Sequence, residues 1–207
     1  MKINELKTIL YKNNVDFAFF YSFNSERPDP DIFYFSGYTG LGALIIPKKQ
    51  NPFLLVPKME LERAKKTGIK AYSIEKKRFF ESIHQIIGTN RLKVNKMGIN
   101  KNTFTLTSYK NFKKQFKKIR TYDLNQDCLK LRMTKTEKEI DFLKKSCNYA
   151  DKLIQKTISN FKDFKTESEA AAFLVYETKR NGLDLAFDPI VASGSNSSMP
   201  HHKPLNV

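Results

Sequence analysis

Short apolar runs alternate with amphipathic helical patterns along residues 1–124, and this alternation limits the possible folds more than any other feature. Apolar residues recur at helical spacing in residues 3–13, and a β-branched and aromatic run typical of a buried strand follows at 15–21. Two further apolar runs, at 43–46 and 52–56, are joined by a polar five-residue loop and predict a hairpin.

The same alternation continues to residue 124. We predict helices at 59–66, 78–87 and 104–116, and strands at 32–35, 69–74, 94–99 and 119–124. Strands interleaved with helices, with one hairpin among them, favour a mixed sheet flanked by helices. The first part of the chain is therefore predicted to be an α/β layer domain.

From residue 131 the pattern changes to long helices. Two helices are predicted, opened by the capping-box spacings Thr136-x-x-Glu139 (with Thr134-x-x-Glu137 as the alternative) and Thr166-x-x-Glu169. We expect the second helix to end at Asn181-Gly182, followed by a strand at 186–192 and a loop at 193–207. Two helices and one strand cannot bury their apolar faces alone, so this part is expected to be incomplete.

The positive charge lies mostly in the first part of the chain. The net charge is +16, and residues 1–125 hold 24 Lys and Arg against 10 Asp and Glu. The basic residues are scattered clusters such as 76–78 and 113–118, and Lys reads bases less well than Arg, so a nucleic-acid partner is not expected. If one exists, its binding should weaken steeply with salt.

The longest apolar stretches are far below the about 20 residues of a membrane span, and the charged first residues are not those expected of a signal peptide. We therefore expect a cytoplasmic protein with no membrane partner. The only two cysteines, Cys128 and Cys147, have no CxxC spacing and are expected to be reduced thiols.

Residues 193–204, SGSNSSMPHHKP, hold the most chemically versatile side chains. The segment lacks the second glycine of a GxSxG elbow. The neighbours His201 and His202 should point to opposite sides of an extended backbone, which makes them a poor chelating pair. By itself the segment is better explained as an ordinary solvated loop than as a functional site.

Other titratable residues are expected to be structural. His84 should lie on the polar side of its helix. Asp184 and Asp188 flank the predicted strand and suit turns better than a substrate pocket. Asp29 and Asp31, together with Glu26, are expected to form a solvated loop.

Three segments resemble one family. Residues 131–140 are LRMTKTEKEI, residues 187–201 are FDPIVASGSNSSMPH, and residues 32–40 are IFYFSGYTG. They resemble the LR-x-x-K-[ST]-x-x-E-[IL] junction, the F-x-x-I-V-A-S-G-x-N-[AGS]-x-x-P-H motif and the Y-L-[ST]-G-[FY]-T-G motif of creatinases, prolidases and Xaa-Pro aminopeptidases. The resemblance covers essentially the whole chain.

This resemblance implies a ribonuclease-H-like amino-terminal domain at 1–125, a linker at 126–136, and the start of an α+β pita-bread peptidase domain at 137–207. It implies hydrolysis of short proline-containing peptides by two divalent metal ions, manganese, cobalt or zinc. Only His201 carries over to a catalytic role, as a group that hydrogen-bonds the substrate near the scissile bond. A homodimer is also implied.

The family's first metal ligand would follow His201 beyond Val207. We therefore expect that the 207 residues alone neither bind the metal pair nor hydrolyse peptides. The alternative is a non-catalytic pita-bread module that binds peptide or protein, since a fold does not fix a function.

Overall fold

The chain divides into two compact units, residues 1–134 and 135–207. This computed structural model describes residues 2–22, 29–74, 79–90 and 94–207. Glu26 and the basic cluster at 76–78 lie outside the described residues. The predicted domain boundaries stay a prediction.

The first unit is a mixed six-stranded sheet with helices on both faces, which confirms the predicted fold class. Its strands are β1 (Phe17–Ser22), β2 (Gly42–Pro47), β3 (Phe53–Pro57), β4 (Lys70–Ile74), β5 (Lys96–Ile99) and β6 (Arg120–Asp123). Its helices are α1 (Ile3–Lys12), α2 (Pro30–Ser36), α3 (Leu61–Lys65), α4 (Phe79–Thr89), α5 (Leu106–Gln115) and α6 (Asn125–Met133).

The strand order is β4-β3-β2-β1-β5-β6. β2 pairs antiparallel with both β1 and β3, and the remaining neighbours are parallel. The hairpin of β2 and β3 is the one predicted from the sequence. It places two antiparallel junctions in the middle of an otherwise parallel sheet.

The side chains of the central strands β1, β2 and β3 point alternately into two apolar cores, because successive side chains point to opposite faces of a sheet. In β1, Phe17 and Phe19 pack with α4 and α5, whereas Ala18 and Phe20 pack with α1, α2 and α6. Burial on both faces explains why the central strands are continuous apolar runs rather than an alternating pattern.

The strand predicted at 32–35 is wrong, because these residues lie in α2. Asp29 caps the helix by accepting a hydrogen bond from the amide of Asp31 at 2.8 Å, and Pro30 occupies the first helical position. Gly37 ends the helix with a φ of 71°. Proline at the start and a left-handed glycine at the end are a recognised helix signature that outweighs the aromatic run between them.

The expectation of a solvated loop around Asp29 and Asp31 is also wrong. The two residues are 3% and 0% exposed. Asp31 Oδ2 accepts a hydrogen bond of 2.7 Å from Asn100 Nδ2, and its Oδ1 lies 3.5 Å from Arg132. Burial, with the Asp31 carboxylate beside it, raises the pKa of Asp29 to about 6.

Helix α6 occupies most of the range predicted as a linker. Cys128 and Leu131 on α6 are buried in the core shared with α1 and α2. Lys2 holds the end of this segment, donating hydrogen bonds of 2.7 Å to the carbonyls of Leu131 and Thr134.

The second unit consists of two helices and a long irregular segment. α7 (Glu137–Ser159) begins with the predicted capping box between Thr136 and Glu139. α8 (Glu167–Arg180) ends at Asn181 as predicted. The two helices are joined by a hydrogen bond of 2.8 Å from the Tyr149 hydroxyl to the carbonyl of Glu177.

Residues 186–192 do not form the predicted strand. A strand needs a neighbouring backbone for its ladder of hydrogen bonds, and the described part of the second unit contains no other strand to provide one. The following loop contains one 3₁₀ turn, Gly194–Ser198.

Candidate functional site

The amino-terminal end of α8 is where the SGSNSSMPHHKP loop meets the rest of the second unit. Thr166 caps the helix, and its hydroxyl accepts a hydrogen bond from the amide of Glu169. The amides of Glu167 and Ser168, which lack partners inside the helix, donate to the carbonyls of Val207 at 3.3 Å and Leu205 at 3.0 Å. The residues that follow this loop, Leu205 to Val207, therefore lie against the first turn of α8.

The Glu167 carboxylate is the centre of this arrangement and is 3% exposed. Its Oε1 accepts hydrogen bonds from the Ser193 amide at 2.7 Å, the Ser193 hydroxyl at 3.0 Å and the Asn196 side chain at 3.1 Å. Its Oε2 accepts from the Leu205 amide at 3.1 Å and lies 2.7 Å from Nε2 of His202. A single side chain thus holds both ends of the loop.

The charged form of Glu167 is strongly favoured. Burial of the carboxyl works to raise its pKa, but the hydrogen bonds from Asn196, His202 and the amides of Ser193 and Leu205 outweigh it. The pKa of Glu167 is consequently well below its ordinary value. Its position in the first turn of α8 also suits a negative charge.

The two histidines face different surroundings, as their adjacency predicted. His202 is 8% exposed and contacts Glu167, whereas His201 is exposed. The amide of His202 donates to the carbonyl of Met199 at 3.1 Å, so Pro200 and His201 are the central residues of a tight turn. Pro200 fixes its own φ and so restricts the backbone of this turn.

His201 lines a groove of about 530 Å³. One wall is α8 and the other is the loop, with residues 188–190 between them. The lining residues are Ser168, Ala171, Ala172, Val175, Asp188, Pro189, Ile190, His201, His202, Lys203 and Pro204. The lining mixes apolar side chains such as Val175 and Ile190 with polar ones such as Asp188 and His201, so it offers both kinds of contact to a small molecule or peptide.

The other residues considered in the sequence analysis are scattered. Asp188 lines the groove, whereas Asp184 forms a surface ion pair of 2.7 Å with Lys179. His84 is exposed on α4 and contacts the ring of Phe116. Cys128 is buried and Cys147 is exposed, and neither forms a disulfide.

Glu167 is the residue that the sequence analysis missed. It occupies the unassigned position after Thr166 in the predicted capping box. The only local signal was an acidic residue in the first turn of a helix, which is common. Its partners lie 26 to 38 positions further along the chain, so its role becomes visible only in the folded unit.

The next question is whether the described residues could hold the metal ions that the family resemblance implies. Within residues 2–22, 29–74, 79–90 and 94–207, no group of three or more His, Cys, Asp or Glu side chains could hold a metal ion. The described residues therefore do not fit the two-metal centre that the family resemblance implies.

The described part of the chain contains no helix that is both long and apolar enough to cross a membrane.

Two family models match the chain. The Creatinase/Prolidase N-terminal domain matches residues 2–134, and Metallopeptidase family M24 matches residues 141–207. Members of the M24 family carry divalent metal ions in their full-length form.

Curated relatives match along nearly the whole chain. An Xaa-Pro dipeptidase of Pyrococcus furiosus is 33% identical over 97% of this chain and 54% of its own length. An Xaa-Pro dipeptidase of Pyrococcus horikoshii is 31% identical over 97% of this chain and also 54% of its own length. The chain therefore spans about half the length of the curated relatives it matches.

Solved structures agree with this result. The prolidase of Pyrococcus furiosus has a TM-score of 0.82 and 28% identity, covering 99% of this chain and 61% of its own. The X-Pro aminopeptidase of Thermotoga maritima shares the fold, with a TM-score of 0.85 and 22% identity over 99% of this chain and 56% of its own. With the first family model covering more than half of its residues, this chain belongs to the creatinase/prolidase family.

Proposed function

We propose that this chain is the amino-terminal half of a metal-dependent Xaa-Pro peptidase, a dipeptidase or an aminopeptidase for short proline-containing peptides. In this proposal the groove of the second unit is part of the substrate site, and His201 is the catalytic residue that this half contributes. The observation that carries it is the position of His201, which is exposed in a groove of about 530 Å³.

The chemistry of the groove suits this role. Small and apolar side chains, including Ala171, Ala172 and Ile190, leave room for a proline ring beside the backbone of a short peptide. An imidazole held beside a scissile peptide bond can donate a hydrogen bond to the oxygen that becomes negatively charged during hydrolysis. In this proposal His201, which lines the groove, donates that hydrogen bond.

Metal ions, when bound in full-length members of the family, supply the activated water that attacks the peptide bond. The described residues of this chain do not fit such a centre, so in this proposal the chain binds and orients the peptide and supplies the hydrogen bond of His201. We propose accordingly that the 207 residues alone do not hydrolyse proline-containing peptides. Cleavage of Ala-Pro by the purified chain with manganese would overturn this part of the proposal.

A chimera tests the whole proposal. Residues 1–207 are fused to the part of the Pyrococcus furiosus Xaa-Pro dipeptidase that follows its matched region. We expect the chimera to hydrolyse Xaa-Pro dipeptides, and His201→Ala to lower kcat/KM by about a hundredfold, the effect of losing one hydrogen bond to the oxyanion. His84→Ala, which removes an exposed histidine on α4, is the matched control.

The outcomes separate the two functions considered. A folded chimera that binds Xaa-Pro dipeptides tightly without hydrolysing them would favour the non-catalytic binding module. Equal activity of the His201→Ala and His84→Ala chimeras would remove His201 from the catalytic site. Sedimentation of the chain at several concentrations tests the homodimer, which stays a prediction.

A further inference from the structure

We propose that Glu167 is the positioning residue of the groove, whose carboxylate holds the 193–205 loop at both ends and thereby presents His201 to the groove. The identity of the groove's occupant rests on the proposed function. The anchoring itself rests only on contacts within the second unit.

Each carboxylate oxygen of Glu167 contacts a different end of the loop. Oε1 accepts three hydrogen bonds at the beginning of the loop, from Ser193 and Asn196. Oε2 contacts the far end, through His202 at 2.7 Å and the Leu205 amide at 3.1 Å. Hydrogen bonds to an ionised carboxylate are about twice as strong as those between neutral groups, so both ends are firmly held.

The anchoring of His202 determines where His201 lies. The two residues are consecutive in the Met199–His202 turn, which Pro200 restricts. With the His202 ring held against Glu167 inside the unit, its neighbour is left exposed in the groove. If the His202 ring were released from Glu167, the turn could change its conformation. The His201 imidazole would then no longer be held in a single orientation.

The backbone of Glu167 also takes part in holding the end of the chain against α8. Its amide and that of Ser168 donate to the carbonyls of Val207 and Leu205, so the first turn of α8 is bonded to the end of the chain. Ala171, Ala172 and Val175 on the same helix form the opposite wall. The backbone and the side chain of Glu167 therefore both tie α8 to the segment that carries His201.

The arrangement requires a carboxylate rather than an amide. Ser193, Asn196 and Leu205 all present N–H donors, and Gln has only one acceptor oxygen on its side chain. In Glu167→Gln the oxygen should remain with the three donors at the beginning of the loop, while the amino group faces His202 and Leu205. His202 can adapt by accepting at Nε2, but the Leu205 amide cannot accept and loses its partner.

This difference gives a test on the 207-residue chain by NMR. In Glu167→Gln we expect hydrogen exchange of the Leu205 amide to accelerate about tenfold or more, because this amide loses a charge-assisted hydrogen bond. The amide of Ser193 should stay protected. We also expect the proton of the His202 ring to move from Nε2 to Nδ1, and the His201 resonances to shift. Glu177→Gln is the matched control, since it removes another buried carboxylate of α8, and it should change none of these signals.

Two results would overturn the proposal. One is a Glu167→Gln chain in which Leu205 exchange and the His202 tautomer are those of the wild type. The other is equal loss of protection throughout α7 and α8, because that would make Glu167 a general stabiliser of the unit rather than a positioning residue.

A second variant keeps the proposal testable if Glu167→Gln does not fold. His202→Ala retains the hydrogen bonds between Glu167 and Ser193 and removes only the link to the turn. We expect α8 to keep its amide protection while the His201 resonances move to the averaged shifts of a mobile histidine. Unchanged His201 resonances in His202→Ala would refute the link between the two histidines.

A peptide titration separates this proposal from the proposed function. Ala-Pro is added to the wild-type chain while the His201 resonances are followed. A shift on addition supports a peptide groove. If no shift occurs but the exchange and tautomer changes of Glu167→Gln are seen, the positioning role stands and the assignment of the groove to Xaa-Pro peptides fails.

Discussion

The Nε2 atom of His202 lies 2.7 Å from Oε2 of Glu167, although the two residues are 35 positions apart in the chain. Both are nearly inaccessible to solvent. This contact closes the loop onto α8 and leaves His201, the neighbour of His202, facing the groove. A buried pair is thus part of what fixes the loop that carries the exposed histidine singled out by the family resemblance.

The second unit should lose stability in acid through Glu167. Burial opposes the charge of Glu167, but its hydrogen bonds outweigh burial and lower its pKa below the ordinary 4.5. A lowered pKa contributes stability at neutral pH, and this contribution is lost progressively as the pH falls from about 4.5 through the folded pKa. Urea unfolding from pH 7 to pH 3, followed by NMR signals of α8, should show this decline. The Glu167→Gln chain should start less stable and decline less, and equal slopes for the two chains would contradict the assignment.

The first unit should show the opposite pH dependence through Asp29. Burial and the Asp31 carboxylate raise the Asp29 pKa from 3.8 to about 6. A raised pKa gives stability that is complete below pH 3.8 and is lost as the pH rises through about 6. The shift corresponds to at most about 3 kcal/mol.

Asp29→Asn isolates this contribution, because asparagine also caps helices well. We expect the substitution to stabilise the first unit at pH 7.5 relative to the wild type and to have little effect at pH 4. Urea unfolding at both pH values measures the difference. The control is Glu62→Gln, which removes an exposed carboxylate and should have the same small effect at each pH. If the stability of Asp29→Asn depends on pH in the same way as that of the wild type, Asp29 does not make this contribution.

One of the two cysteines should react rapidly with a thiol reagent in the native chain. Cys147 is exposed on α7, whereas Cys128 is buried, and burial together with the Asp31 and Asp29 carboxylates raises the pKa of the Cys128 thiol. Reaction with a chromogenic disulfide should release one equivalent of product quickly and a second only in denaturant. Cys147→Ser should abolish the fast phase, and two fast equivalents would show that Cys128 is accessible.

Phe112 should contribute strongly to the stability of the first unit. It is 0% exposed and its ring lies 4.9 Å from that of Phe116 and 5.9 Å from that of Phe19. Phe112→Ala should lower the free energy of unfolding by about 4 kcal/mol, the usual cost of emptying a buried aromatic position. Phe33→Ala is the matched control, since Phe33 is 59% exposed and should change stability by less than about 1 kcal/mol. Similar losses in both variants, measured by urea unfolding, would argue against this core.

Two glycines should respond oppositely to alanine. A Cβ at Gly42 in β2 would lie 2.5 Å from the carbonyl oxygen of Leu55, whereas a Cβ at Gly88 would meet nothing within 4 Å. Gly42→Ala should destabilise the first unit by about 2 kcal/mol because backbone must move. Gly88→Ala lies within α4 and should stabilise it by up to about 1 kcal/mol. The pair is compared by thermal unfolding, and stabilisation by Gly42→Ala would show that the strands can separate without cost.

Local patterns predicted most of the first unit. The apolar runs of β1, β2 and β3 and the spacing of α1, α4 and α5 gave the correct elements, because a side-chain period follows directly from backbone geometry. Two helices were not predicted. In α2 the capping residues outweighed an aromatic run typical of a strand, and α6 lies in a range expected to be mostly linker. The signals that indicate α2 are Asp29-Pro30 at its start and Gly37 at its end.

The buried polar groups were harder to predict. Asp29 and Asp31 have the composition of a solvated loop, and only their partners Asn100 and Arg132, distant in the sequence, explain their burial. The strand expected at 186–192 failed for the same reason. A strand depends on what lies beside it, and its own residues do not specify that.

For the site, the amino-acid sequence alone determined the motif, the family and the candidate His201, because these depend on residue types at fixed spacings. Only the tertiary structure decided that His202 points inward, that His201 lines a groove, and that Glu167 holds the loop. The physical reason is that a carboxylate's role depends on which donors the fold brings to its two oxygens. The donors to Glu167 come from 26 to 38 positions further along the chain.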